Sequence, residues 1–127
     1  MSAGLIHRRE DMENSEFRSL AAAILDSLQQ QVDTWFQDLD VDVEGSRNGS
    51  MLTLTFLNRS QVIVNIQAPL QELWVAIPGQ GFHYRRREDG RWLDIRTEES
   101  LEQTLSRICS DFAESPLTAT IPTTFAI

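Results

Sequence analysis

The spacing of apolar residues changes twice along this chain of 127 residues, and those changes restrict its fold more than any other feature. From Phe17 to Trp35 the apolar side chains step by three and four: Phe17, Leu20, Ala21, Ile24, Leu28, Val32 and Trp35. That is the stripe of an amphipathic helix. Asn14 as a cap and Glu16 in the first turn place the helix over residues 14–37. From Val41 onward the step is two, the period of a strand with one buried face. From Leu101 to Phe112 the step returns to four and three, through Leu105 and Ile108.

Short breaks divide the middle region. Val41 and Val43 alternate with Asp40, Asp42 and Glu44; Leu52, Leu54 and Phe56 alternate with Thr53 and Thr55. Val62, Val64 and Ile66 alternate with Ile63, Asn65 and Gln67, and Leu73, Val75 and Ile77 with Trp74 and Ala76. The breaks at Asn48-Gly49, Asn58-Arg59-Ser60, Pro78-Gly79 and Asp89-Gly90 are hairpin turns, too short for crossovers. Thr97 is read as the cap of the second helix, and Pro116 as its stop. The predicted architecture is α+β: a two-layer sandwich of helix, five to six antiparallel strands and helix, with both helices on one face. The domain spans 14–115. Residues 1–13 are expected to be a frayed extension. Residues 116–127, with Leu117, Ile121, Phe125 and Ile127, are too apolar for a solvated tail and are expected to lie extended on the core.

Several function classes drop out. The net charge is -8, and a nucleic-acid binder needs a basic face. No apolar run reaches the ~20 residues of a membrane-spanning helix. One cysteine, Cys109, and two histidines make neither a disulfide framework nor a zinc site, and the lone thiol suits a reducing, cytoplasmic setting. No nucleotide-binding, nucleophile-elbow or zinc-protease motif is present. Cys109 lies beside the apolar stripe and reads as a small core residue.

Two surfaces remain. Between Asp26 and Glu44 stand Asp26, Asp33, Asp38, Asp40, Asp42 and Glu44, with no basic residue. Strand parity puts Asp40, Asp42 and Glu44 on one face, with Asp38 extending the row, and Asp26 and Asp33 share a helix face. Such a ridge is either a solvated face or a place where a multivalent cation or an arginine-rich partner relieves repulsion. Same-face strand residues are ~7 Å apart, so any metal bound there is held weakly and unselectively by oxygen. The second surface is the outer face of the sheet, where parity places Asn65, Gln67, Trp74 and His83. An outward Trp is either tolerated against its neighbours or an interface anchor. Arg85, Arg86, Arg87 and Arg91 are expected to form a basic spot opposite the ridge.

The order of elements, together with particular residues, resembles the frataxin family of the bacterial type. The matching segments are Asn14-Ser-Glu-Phe17, Val32-Asp33-x-Trp35, Asp40-Val-Asp-Val-Glu44, Leu52-Thr-Leu-Thr-Phe56, Asn65-x-Gln67-x-Pro69-Leu70, Leu73-Trp74-x-Ala76 and Gly81-Phe-His-Tyr84. The resemblance implies a non-enzymatic, iron-binding adaptor or regulator of iron–sulfur cluster assembly. Its partners would be the cysteine desulfurase and the iron–sulfur scaffold protein, not nucleic acid or membrane. It implies weak surface binding of ferrous or ferric iron by Asp33, Asp38, Asp40, Asp42 and Glu44, with Asp26 and His83 as lesser ligands. Asn65, Gln67 and Trp74 would contact partners, and the chain would be a monomer that iron can drive into oligomers. Iron storage with ferroxidase activity and a metal-free interaction domain are the alternatives. The chain departs from the family at Gln29, Gln30, Thr34 and Phe36, where acidic residues are usual, so part of the helix-borne ridge is missing.

Overall fold

A computed structural model of the chain describes residues 13–122. Most of the expected N-terminal extension (residues 1–12) and the tail's Phe125 and Ile127 lie outside the described residues. Helix α1 spans Asn14–Leu39, two residues beyond the predicted end, and buries the stripe from Phe17 to Trp35. Asn14 is its first helical residue and not its cap; Glu13 stands at the cap position without a side-chain bond. The helix ends at Asp40, whose left-handed backbone (φ 57) turns its N–H onto the Trp35 carbonyl.

Six strands follow: β1 (Val43–Asn48), β2 (Met51–Phe56), β3 (Gln61–Gln67), β4 (Glu72–Ile77), β5 (Gln80–Arg86) and β6 (Trp92–Asp94). They form one antiparallel sheet in sequential order. A single 3-10 turn, Ala68–Leu70, joins β3 to β4. Leu52, Leu54, Phe56, Val62, Val64, Leu73, Val75 and Tyr84 line the inner face, all buried. Helix α2 spans Leu101–Ala113 and adds Leu101, Leu105, Ile108 and Cys109 to the same core. Phe112 is only half-buried and meets Phe56 edge-on, ring centres 5.9 Å apart. The predicted two-layer α+β sandwich is thus the observed fold.

The start of α2 differs from expectation. Ser100, not Thr97, is the cap. Its hydroxyl accepts the Gln103 N–H, while the Gln103 side chain accepts the Ser100 N–H, a reciprocal capping box. Thr97 instead accepts the Glu99 N–H in a local turn. The helix is tied to the sheet by a polar chain: the Tyr84 hydroxyl donates to Thr104 (2.6 Å), and Thr104 donates to Glu99 (2.8 Å), which Arg107 also holds. Burial pushes the Tyr84 phenol up to about 12, and burial alone pushes the Cys109 thiol up to about 12, leaving that thiol protonated and unreactive at neutral pH.

Residues 116–122 form no helix or strand but bury Leu117, Ala119 and Ile121. Side chains satisfy their backbone. Ser110 Oγ accepts the Leu117 N–H and donates to its carbonyl; Ser106 does the same for Ala119. Gln31 of α1 serves Thr120 in the same two-way fashion. Ser106 and Ser110 are one turn apart on α2, so they face the tail together. The segment therefore lies against both helices, with the backbone groups of Leu117, Ala119 and Thr120 paired to side chains, as burial requires.

Candidate docking face and acidic ridge

The outer face of the sheet is built by register. Asn65, Trp74 and His83 stand directly opposite one another across β3, β4 and β5, and Gln67, Glu72 and Arg85 form the next row. Parity alone places Asn65, Gln67, Trp74 and His83 together, as read from the sequence. Trp74 is half-buried and not fully open, because its ring stacks on His83 with centres 4.3 Å apart and planes 7° apart.

Glu72 is the residue that sequence reasoning missed. It is 4% exposed, and its carboxylate accepts Trp74 Nε1 (2.9 Å) and the Arg85 guanidinium (2.9 Å). His83 Nδ1 lies 3.6 Å from the same carboxylate. The indole is thereby fixed from one edge by a buried acceptor and from one face by a ring. A rigid amphipathic aromatic held this way keeps little rotamer entropy to lose on binding. The available signal was parity: Glu72 and Trp74 are two apart on one strand.

On the other surface the alternation holds in burial. Val41 and Val43 are buried while Asp40, Asp42 and Glu44 are exposed. Only Glu44 lies within β1, however. Asp38 does not extend the row. It belongs to α1, and five residues of helix turn it about 140° away from Asp33. Asp26 is not unopposed either: Arg47, three residues beyond Glu44, reaches its carboxylate at 2.6 Å. The expected basic spot is also neutralised, since Arg85, Arg87 and Arg91 engage Glu72, Glu98 and Asp89. The Arg91 backbone N–H and guanidinium hold the Asp89 carboxyl below its usual range.

Among the described residues no three His, Cys, Asp or Glu side chains converge into a metal centre. The exposed oxygen donors fit a loosely held, largely hydrated cation and do not fit a closed multidentate site. No helix among the described residues is long and apolar enough to cross a membrane.

Comparison with known proteins agrees with this geometry. Residues 10–115 match the signature of a frataxin-like domain. A Bordetella pertussis protein named iron-sulfur cluster assembly protein CyaY is 48% identical over 107 residues, covering 84% of this chain and 96% of its own length. A Ralstonia pickettii protein of the same name is 45% identical over 107 residues, covering 84% and 94%. A solved frataxin from Psychromonas ingrahamii superposes with a TM-score of 0.71 at 33% identity, covering 84% of this chain and 97% of that one. The helix, six-strand meander and helix, the outer row of Asn65, Trp74 and His83, and these relatives lead to one conclusion: the chain belongs to the frataxin-like family.

Proposed function

We propose that the protein acts in iron–sulfur cluster assembly as a non-enzymatic regulator that binds iron weakly and docks on the cysteine desulfurase and the scaffold protein. The observation that carries this reading is the 48% identity, over nearly the full length of the relative, with a protein named for that process. The outer row supports it, because a locked Trp flanked by Asn and Gln has the composition of a binding anchor. Asp33, Asp38, Asp40, Asp42 and Glu44 are the proposed iron ligands, acting as separate carboxylates on an open surface. Asp26, already paired with Arg47, and His83, stacked on Trp74, are the weakest members. The direct test measures sulfide production by the desulfurase with and without this protein, each with and without ferrous iron. No change in rate under any of these conditions would remove the regulatory reading.

Trp74→Ala is expected to weaken desulfurase binding by about 2 kcal/mol, roughly thirtyfold, chiefly through faster dissociation. It should also lower fold stability by about 1 kcal/mol, because buried Glu72 loses one of its two donors. Surface plasmon resonance and urea melts separate the two effects. Unchanged dissociation would place the interface elsewhere.

Replacing Asp40 and Asp42 together with Asn should weaken iron binding, because two of the five proposed carboxylates are lost. The same change should raise stability by about 0.5–1 kcal/mol. Asn tolerates the left-handed backbone of position 40, and a negative charge leaves the negative end of a helix dipole. An unchanged iron titration would remove these two residues from the ligand set.

A further inference from the structure

The two helices end at the same corner of the molecule, and an open cleft of about 330 Å³ lies between them. Its apolar wall is made by Leu39 from the last turn of α1, Leu57 from the β2–β3 turn, and Phe112 and Ala113 from α2. Leu57 is 76% exposed and Leu39 55% exposed. Two leucines left in water beside the same cleft are unfinished packing. The backbone around them is well fixed: the Leu57 N–H donates to the Asp42 carbonyl, and the Asn58 amide donates to the Phe112 carbonyl.

Charge states what the cleft accepts. Asp40, Asp42 and Glu114 line the same space. Asp40 follows α1 and Glu114 follows α2, each with a left-handed backbone (φ 57 and φ 55), and neither helix has a basic residue in its last turn. A carboxylate there meets the negative end of a helix dipole, and an Asn or Gly would be the more stable choice. The acidic character is therefore not required by the fold. Five of the arginines are in ion pairs elsewhere, and none reaches Asp40, Asp42 or Glu114 among the described residues. An apolar cleft with two dipole ends and three uncompensated carboxylates complements one kind of group: a leucine-sized side chain flanked by arginine or lysine.

We infer that this cleft is a second docking point, which takes a basic segment of a partner protein through one apolar side chain seated between Leu39 and Leu57, with flanking cations on Asp40, Asp42 and Glu114. The site is separate from the Trp74 face. It adds shape selection to the acidic ridge, because carboxylates alone would accept any cation.

The test uses the full chain, isotope-labelled, and three capped peptides: one leucine among four arginines, the same peptide with serine for leucine, and the same peptide with glutamate for every arginine. The leucine peptide should shift the amides of Leu39, Asp42, Leu57 and Ala113, and bind at least fivefold more tightly than the serine peptide. The glutamate peptide should not bind. Leu57→Ser should weaken the leucine peptide at least fivefold while leaving the thermal midpoint unchanged, since the side chain is exposed. Glu114→Gln should weaken both arginine peptides and flatten their salt dependence. Equal binding of the leucine and serine peptides would reduce the cleft to a plain charge patch and overturn the inference, as would shifts confined to other surfaces. Concentration-dependent self-association that Leu57→Ser abolishes would assign the cleft to a second copy of the chain and overturn it as well. Because the readout needs no desulfurase, a failure here is distinct from a failure of the regulatory reading.

Discussion

Leu117→Ala should lower the unfolding free energy by about 2–5 kcal/mol, the usual cost of truncating a buried leucine. The residue sits in a segment without helix or strand, where substitutions on a solvated tail would change stability by only ~0.5 kcal/mol. Leu117 is 5% exposed, and its N–H and carbonyl are both held by the Ser110 hydroxyl. The side chain is therefore pinned in place and cannot swing out to be replaced by a neighbour. Ser110→Ala is expected to cost about 1–3 kcal/mol by leaving those backbone groups without partners. The two changes should not add, because each loosens the same segment. Urea denaturation of the single and double variants measures all three quantities. A loss below about 0.5 kcal/mol for Leu117→Ala would mean that the segment is undocked in solution.

Stability should also fall steeply in alkali. The thiol of Cys109 moves from 9.0 to about 12 and the phenol of Tyr84 from 10.0 to about 12 on folding, in both cases chiefly because burial disfavours the anion. Each folded pKa is raised. Below pH 9 both groups are protonated in folded and unfolded chains, and their contribution is fully present. As pH rises through 9 the unfolded thiol loses its proton while the folded one keeps it, and through 10 the phenol follows. The unfolded state then binds fewer protons, so stability declines until about pH 12. Each pH unit separating a folded from an unfolded pKa is worth ~1.4 kcal/mol, so the combined loss is on the order of several kcal/mol. Cys109→Ala should delay the onset of the decline by about one pH unit, to where the phenol begins. Urea midpoints measured from about pH 7 to about pH 11.5 test this. A profile that stays flat to about pH 11 would contradict the burial of both groups.

Much of the fold was legible because it depends on period alone. Strand parity placed Leu54, Val64 and Val75 inward and Trp74 outward without any knowledge of what lay across the sheet. Errors arose where signals competed or where partners were distant. Thr97-Glu98-Glu99 and Ser100-x-x-Gln103 both look like helix starts, and only the latter closes a capping box. The end of α1 lacks Gly and Pro, so nothing in the sequence marked Asp40 as its left-handed stop. Asp38 was consequently assigned to the strand row. The Asp26–Arg47 and Glu72–Arg85 pairs join residues 21 and 13 positions apart, and such contacts exist only once the chain has folded. The docking of Leu117 relies on Ser106, Ser110 and Gln31, polar residues whose helical periodicity carries no mark of that use.

The sequential strand order has a consequence for how the molecule assembles. Every sheet pairing is made across a connection of two to five residues, so the sheet can grow hairpin by hairpin at small loop-closure cost. The contact of Gln31 with Thr120 spans 89 positions and can form only when both helices are already in place. Sheet formation should thus precede closure of the helical layer on the folding pathway. In chevron experiments, Leu54→Ala should slow folding, whereas Ile121→Ala should mainly speed unfolding. The reverse pattern would place closure of the helical layer first. On this route the meander is the nucleus, and the Gln31–Thr120 clasp is a late latch that sets how long the folded molecule survives.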